Sequence, residues 1–256
     1  KKSFQAINII TGISMFGISI GAAALLLILS VFNGFEDLLK SLYNAIYTDL
    51  KVTPIEGKYF TPDSSVMDQI RAWPDIVAAS ITLEETALLD YNGSQDICTL
   101  KGVDESFRRV TDIDSVLLDG DFQLRQGDVA LAIVGAGLAS RLDINVDNPY
   151  QSLSVYMPNH NQHGPLDKPF TVQYAYPVGR FSIKQDYDYQ YVFVPLEFIR
   201  SLIEQPHAAT GIEIRLQPGA DVGEVKTKLK SLLPTPVLIR NQDEQNAAFF
   251  KLMNME

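Results

Sequence analysis

Cysteine is nearly absent from this chain, and this restricts the chemistry open to it. Among the 256 residues only Cys98 carries a thiol, so neither an intrachain disulfide nor a thiolate metal cluster can form. Cys98 lies in the alternating segment Asp96–Leu100, where a buried, unreactive small apolar side chain is expected. The sequence therefore predicts no disulfide framework and no thiol chemistry.

Basic residues are also scarce. Lys and Arg number 21 against 31 Asp and Glu, which gives a formal net charge of −10, and no basic stripe occurs along the chain. A protein that binds nucleic acid needs clustered Lys and Arg to neutralise phosphates. Nucleic acid is therefore excluded as a partner.

Catalytic motifs are missing as well: the chain has no GxSxG, HExxH or GxxxxGK[ST]. His160 and His163 lack helical spacing and a third ligand, so a surface loop is expected there.

Ile133–Ser140 (IVGAGLAS) resembles a dinucleotide fingerprint but lacks the later acidic residue, which favours a tight strand-to-helix joint. Asp186 and Asp188 alternate with tyrosines, as on a solvated strand edge. We predict no catalytic, cofactor-binding or metal-binding residue in this chain.

Charge is absent from Ser3 to Phe35, and this stretch organises the rest of the chain. A membrane-spanning helix needs about 20 mostly apolar residues, and Ile7–Phe32 exceeds that length. Two lysines precede the stretch and an acidic pair follows it, so the positive-inside rule predicts a cytoplasmic N-terminus. We expect a single span in a bacterial inner membrane, with the bulk of the chain in the periplasm.

A cleaved signal peptide is the alternative reading of this stretch, because Ala22–Ala24 offers small residues to a signal peptidase. A signal peptide's apolar region runs about 7–15 residues, whereas here it continues through Leu25–Leu29, which favours a retained span. Gly17 and Gly21 form a GxxxG pair at which another helix could pack closely.

Helical periodicity continues beyond the apolar stretch as far as Tyr47. The apolar positions that repeat at helical spacing are Phe35, Leu38, Leu39, Leu42 and Ile46. Residues 1–47 are therefore expected to form the membrane helix and an amphipathic stalk.

The remaining pattern predicts an α+β fold with a discontinuous first subdomain. Its first part, residues 48–110, is expected to contain a strand, a helix and a hairpin turned at Asn92-Gly93, namely Asp49–Ile55, Pro62–Ala72, Ile76–Tyr91 and Asp96–Val103. Its second part, residues 209–240, is expected to contain a strand, a helix and a strand, namely Gly211–Leu216, Val222–Leu233 and Pro236–Arg240. Residues 111–208 between them predict a β-rich insertion, and residues 241–256 predict a helix leading toward a second span.

Several segments, in order along nearly the whole chain, resemble one family: the FtsX/MacB-like permeases of type VII ABC transporters, most closely the lipoprotein-releasing LolC/LolE branch. The segments that carry the resemblance are Ser30–Glu36, Gly127–Ala139, Val178–Leu196, Gly211–Ile214 and Ile239–Leu252. The resemblance implies a periplasmic domain with a porter subdomain and an inserted Sabre-like subdomain. It also implies three further membrane helices, so the chain is expected to be a fragment of a longer permease.

The same resemblance implies partners and a task. A cytoplasmic ABC ATPase would bind the ATP, and this chain would bind no cofactor. A second permease subunit, identical or not, and membrane lipid would complete the assembly, and the favoured task is extraction of lipoproteins from the inner membrane. Tyr150–Lys168 does not align with a hook for a periplasmic chaperone, which leaves direct chaperone docking open.

In such a mechanism the stalk and Glu244–Glu256 would carry motion between membrane and domain. Candidates to line an acyl-chain groove are Met15, Phe16, Leu25, Leu26, Leu29 and Phe32. Contact with ordinary lipid or neighbouring helices accounts equally well for these six. MacB-like efflux and FtsX-like activation of a cell-wall hydrolase remain alternatives, as does a membrane-anchored sensor or interaction domain with no transport role.

Overall fold

The computed structural model describes residues 2–44, 48–159, 169–183, 185–234 and 236–245, with side chains described from residue 11 to 35 and from 48 onward except 185 and 186. It separates into two compact units, Lys1–Tyr43 and Asn44–Glu256. The first unit is one helix, α1 (Lys2–Asn44), whose segment Thr11–Phe35 has a mean hydropathy of 2.4 and is long and apolar enough to cross a membrane. The helix continues without a break as far as Asn44, and residues 45–47 of the predicted stalk lie outside the described residues. The role of this segment as a stalk stays a prediction.

The second unit is a mixed α+β domain, as predicted. Its strands are β1 (Leu50–Pro54), β2 (Ile76–Tyr91), β3 (Ser94–Val103), β4 (Leu117–Gly120), β5 (Arg125–Gln126), β6 (Val129–Gly135), β7 (Leu153–Pro158), β8 (Phe170–Phe181), β9 (Tyr191–Pro195), β10 (Gly211–Leu216) and β11 (Val237–Asn241). Its helices are α2 (Ser64–Arg71), α3 (Phe107–Val110), α4 (Ala136–Leu142), α5 (Gln185–Asp188), α6 (Leu196–Leu202) and α7 (Val222–Leu232), with a 3-10 helix at Ile113–Val116.

The strands form one sheet in the order β11-β1-β10-β2-β3-β9-β6-β8-β4, with β7 pairing both β2 and β8. The pairings β2-β3-β9-β6-β8-β7-β2 therefore close into a ring of six strands, a small barrel. The long strand β2 serves both regions, because its first half pairs with β10 and its second half belongs to the barrel.

Three apolar cores follow from this topology. The barrel core fills the ring and includes Leu89, Val134 and Val155, with α4 and α6 packed against it. The terminal core lies between α2, α7 and the strands β1, β10 and β11. The aromatic core covers the outer face of the barrel with Phe107, Phe122, Phe181 and Phe193. The centroids of Phe107, Phe122 and Phe181 lie 5.5, 5.8 and 5.1 Å from that of Phe193.

Local signals in the sequence predict several of these elements correctly. The hairpin turns at Asn92 and Gly93, whose φ values of 53° and 86° are those preferred in tight hairpins. Asp63 caps α2 and Asp221 caps α7, each accepting hydrogen bonds from backbone N–H groups in the first turn. The strand predicted at residues 211–216 is confirmed.

The prediction of a solvated strand edge at Asp186 and Asp188 was wrong. Gln185–Asp188 is a helical turn, and Asp188 is buried instead of lying on a solvated strand edge. Its carboxylate accepts hydrogen bonds from the hydroxyl of Ser182 (2.8 Å) and the N–H of Ile183 (2.7 Å). Alternating acids and tyrosines mimic a strand, but local side-chain to backbone bonds favour a turn here. The short helices α3 and α6 were not predicted either, since one or two turns show too little periodicity.

The division of the domain at residues 111 and 208 stays a prediction. β2 and β3 lie in the predicted first part, yet both contribute side chains to the barrel core together with strands of the predicted insertion. His160 and His163 lie outside the described residues.

Candidate functional site

The two ends of the domain meet at one side of the sheet. β1 follows the membrane helix in the chain, β11 precedes the last described residues, and the two strands pair antiparallel with Leu50 opposite Asn241. The chain therefore enters and leaves the domain on adjacent strands. We call this region the terminal junction and define it by Thr48, Asp49, Asn241, Glu244 and Gln245.

Side-chain hydrogen bonds hold the terminal junction together. The buried Gln245 donates from Nε2 to the backbone oxygen of Thr48 at 2.9 Å, which ties the exit of the chain to its entry. Asp49 accepts a hydrogen bond of 2.7 Å from the N–H of Leu216, the last residue of β10. Both bonds bridge segments that are more than a hundred residues apart in sequence.

A capping box starts the helical turn that leaves the terminal junction. Asn241 Oδ1 accepts from the N–H of Glu244 (2.9 Å), and Glu244 Oε2 accepts from the N–H of Asn241 (2.8 Å). Hydrogen bonds from Lys226 and from this backbone N–H lower the pKa of Glu244, so its carboxylate stays charged. The first turn after β11 is thus fixed by local chemistry.

Next to the terminal junction, four charged side chains form a ring on one face of the sheet. We call Lys51, Glu84, Lys101 and Glu213 the charged cluster. They share a face because Lys51 pairs with Glu213 across β1 and β10, and Glu84 pairs with Lys101 across β2 and β3. The charges alternate around the ring, with N–O distances of 2.8, 3.6, 2.7 and 3.6 Å.

Burial makes the charged cluster unusual. The side chains of Lys101 and Glu213 are only 7% and 2% exposed, while Lys51 and Glu84 are about one quarter exposed. The ammonium of Lys101 also lies 5.0 Å from the centroid of the Phe107 ring, so it borders the aromatic core. The cluster therefore joins four strands, from the terminal strand β1 to the barrel strand β3, through charges held largely away from water.

The pKa values follow from this arrangement. Burial alone would lower the pKa of Lys51, but the attraction of Glu84 and Glu213 outweighs it and raises the pKa. Burial alone would raise the pKa of Glu84, but Lys51 and Lys101 outweigh it and lower the pKa to about 2. Both groups are charged in the folded domain across the physiological range.

Because of Glu84, the free energy of unfolding of the domain should depend on pH in the acidic range. Because its pKa falls from 4.5 to about 2 on folding, it contributes on the order of 3 kcal/mol above pH 4.5, and this is lost as the pH falls toward 2. We expect Glu84→Gln to lower the free energy of unfolding at pH 7 and to flatten its decline between pH 4.5 and 2. Denaturant unfolding across this pH range measures both. Glu224→Gln, at an exposed position, serves as control, and an unchanged slope in Glu84→Gln would contradict the assignment.

The glycines of the IVGAGLAS segment have a packing role. A Cβ atom on Gly135 would lie 2.4 Å from the backbone oxygen of Asp188, and one on Gly137 would lie 2.7 Å from the ring of Tyr189. The turn between β6 and α4 therefore packs closely against the last residue of α5 and the tyrosine that follows it. This close approach accounts for the glycine spacing, in agreement with the interpretation as a strand-to-helix joint.

The structure places the other predicted site residues as follows. The six candidates for an acyl-chain groove, Met15, Phe16, Leu25, Leu26, Leu29 and Phe32, are between 51% and 69% exposed on α1. Gly17 and Gly21 have no atom within 4 Å of a Cβ position, and Phe35 is exposed. The side chains of Leu38, Leu39 and Leu42 lie outside the described residues. The roles of all these residues stay predictions.

Cys98 is buried in the barrel core, as predicted, and burial together with Asp96 raises the pKa of its thiol. Within the part of the chain that the structure describes, no group of three His, Cys, Asp or Glu side chains could hold a metal ion.

The charged cluster and the terminal junction were not predicted from the sequence. Their members come from strands far apart in the chain, and each looks like an ordinary polar position in an alternating strand. The available signal was weak: Lys101 and Glu213 stand in segments whose other residues are mostly apolar. Only the strand register shows that they share a face.

Fold and site together define a membrane-anchored protein whose extramembrane α+β domain is entered and left on paired strands. Comparison with known proteins identifies the family: the MacB-like periplasmic core domain profile matches residues 11–232, and the chain belongs to this family. It is thereby an FtsX/MacB-like ABC transporter permease chain, as the sequence predicted.

Individual proteins resemble this chain to different degrees. The lipoprotein-releasing system transmembrane protein LolE of Haemophilus influenzae is 26% identical over 235 residues, which cover 84% of this chain and 52% of the relative. This chain thus spans about half the length of that protein. The periplasmic region of MacB from Actinobacillus actinomycetemcomitans has a similar fold, with a TM-score of 0.55 and 12% identity over 81% of this chain and 94% of that one. The extracellular domain of the transporter YknZ from Gram-positive bacteria gives a TM-score of 0.48 at 11% identity, over 75% and 99% of the two chains.

Proposed function

We propose that this chain is part of a permease subunit that extracts lipoproteins from the bacterial inner membrane. The similarity to LolE across most of the chain supports this cargo. The observation that carries the mechanical part of the proposal is the terminal junction, where the entering and leaving segments are tied together by Gln245 and Thr48. A separate cytoplasmic ATPase would bind and hydrolyse ATP, and this subunit would contribute motion, without catalysis.

In this proposal, displacement of the segments joined to the domain acts first on the adjacent strands β1 and β11. The charged cluster then couples β1 to β10, β2 and β3, and the last two belong to the barrel. Separating opposite charges that are shielded from water is costly, because their attraction is stronger in a low-dielectric environment. The terminal strands and the barrel are therefore expected to move as one body.

The remaining parts of the proposal concern partners and topology. The N-terminus would lie in the cytoplasm and the α+β domain in the periplasm, in line with the charges that flank the apolar stretch. A second permease subunit would pair with this one, and a periplasmic chaperone would receive the cargo. The six large apolar side chains of α1 would contact the acyl chains of the lipoprotein or membrane lipid.

The cargo can be tested by depleting the full-length protein in its native host and separating the inner and outer membranes. Lipoproteins should accumulate in the inner membrane, and the wild-type gene should restore their distribution. An unchanged distribution combined with greater drug sensitivity would replace the proposal with MacB-like efflux. A defect in cell separation alone would favour FtsX-like hydrolase activation, and the absence of a co-purifying ATPase would favour an anchored sensor.

The terminal junction can be tested with Gln245→Ala in the full-length permease. Loss of the bond to Thr48 should uncouple the exit of the chain from its entry, so we expect release of lipoprotein to fall several-fold while ATP hydrolysis continues. Reconstituted complexes allow both rates to be measured. Asp243→Ala, at an exposed neighbouring position, is the matched control. Equal release by Gln245→Ala and wild type would refute this role.

A further inference from the structure

Two buried polar atoms in and beside the charged cluster lack a hydrogen-bond partner among the described residues. They are Oγ1 of Thr82 and Oε2 of Glu213, and both side chains are almost completely shielded from solvent. A buried polar atom without a partner costs free energy, and such atoms in native proteins are often satisfied by an ordered water. A bound molecule that hydrogen-bonds to both oxygens would remove this cost.

Both side chains lie on the same face of the sheet, on neighbouring strands. Thr82 stands opposite Gly211 on β10, and Glu213 lies two residues further along that strand, on the same face of the sheet. β2 lies between β10 and β3, so the carboxylate of Glu213 crosses β2 near Thr82 to reach Lys101 on β3 at 2.7 Å. The hydroxyl of Thr82 lies beside Gly211, since a Cβ atom there would be 3.2 Å from that oxygen and 3.2 Å from the backbone oxygen of Val52.

We propose that one ordered water molecule lies between Thr82 and Glu213 and hydrogen-bonds to both. The free carboxylate oxygen can only accept a hydrogen bond, whereas the hydroxyl can donate or accept, so the ligand must carry at least one donor. The two lysines and two glutamates of the charged cluster cancel in charge, which favours a neutral molecule over an ion. Water meets both requirements and is small enough for a buried site.

With this water bound, both carboxylate oxygens of Glu213 have hydrogen-bond partners. The water links β2 to β10 beside the ion pairs that already join these strands to β1 and β3. This inference depends on the fold alone and is independent of the cargo that the permease handles.

The variant Thr82→Val distinguishes a hydrated site from an empty one by the sign of its effect. If water is bound, valine removes one of its partners and leaves Glu213 less well satisfied, so amide hydrogen exchange of β10 should accelerate about tenfold in the full-length permease. If the hydroxyl is unpartnered, valine removes a buried unsatisfied group of the same shape, and exchange should slow or stay unchanged, which would overturn the proposal. Thr86→Val, on the same strand and face but exposed, corrects for the general preference of valine for strands.

A direct observation is also available. A map of the full-length permease with its ATPase, at a resolution that shows other buried waters, should contain one isolated peak about 3 Å from both oxygens. No peak at that position, or a protein side chain filling it, would reject the bound water.

Discussion

Replacing Glu213 by leucine while Lys101 is retained is expected to lower the free energy of unfolding of the domain by about 3–5 kcal/mol. The mutation leaves the ammonium of Lys101, only 7% exposed, without its closest carboxylate, which lies 2.7 Å away in the wild-type protein. The ammonium keeps only the longer contact with Glu84 at 3.6 Å, so most of the cost of burying its charge is no longer offset. Hydrogen exchange of the β10 amides in the full-length protein, followed as a function of denaturant, measures the loss.

The double variant Lys101→Met, Glu213→Leu provides the decisive comparison. Removing both charges together replaces the pair with apolar side chains of similar volume, so stability should return to within about 1–2 kcal/mol of the wild type. Arg108→Ala breaks the exposed pair with Asp114 and is expected to change the free energy of unfolding very little, because solvent screens this pair. If Glu213→Leu costs no more than Arg108→Ala, the charged cluster is not the coupling element proposed above.

Gly120→Ala is expected to cost about 3 kcal/mol or more and to release β4 from the sheet. Gly120 has a φ of +75°, and a Cβ atom there would lie 2.1 Å from the backbone oxygen of Val178. Backbone cannot yield as a flexible side chain does, so the clash can be relieved only by breaking the pairing of Gly120 with Gly179 on β8. Rapid exchange of β8 amides that are protected in the wild type would report the separation.

Gly219→Ala is the matched control for this substitution. Gly219 has a similar φ of +87°, but no atom lies within 4 Å of its Cβ position. Alanine there should cost only the backbone strain, about 1 kcal/mol. Equal losses for the two variants would show that strain, and not the close approach of β4 to β8, determines the cost at Gly120.

Elements whose cause lies within a few neighbouring residues could be predicted from the sequence. The tight turn at Asn92-Gly93 requires positive φ values, and Asp63 and Asp221 cap the helices that directly follow them. The element that was predicted wrongly depends instead on contacts that form only in the folded turn. Asp188 alternates with tyrosines as in a strand, yet its burial depends on contacts of the folded turn with Ser182 and Ile183.

The sequence by itself determined the long apolar helix, the α+β class, the order of most strands and helices, and the family. The helix, the class and the elements follow from local composition and periodicity, because a span of apolar residues or a cap acts through its immediate neighbours. The family follows from the resemblance of several segments in order along the chain. Only the tertiary structure decided the closed ring of strands, the terminal junction and the charged cluster. Each of these joins residues that are distant in sequence, such as Thr48 with Gln245 and Lys101 with Glu213, through the register of paired strands. A shift of one residue in that register would turn the charges to the opposite face, so no pattern within a single strand could reveal them.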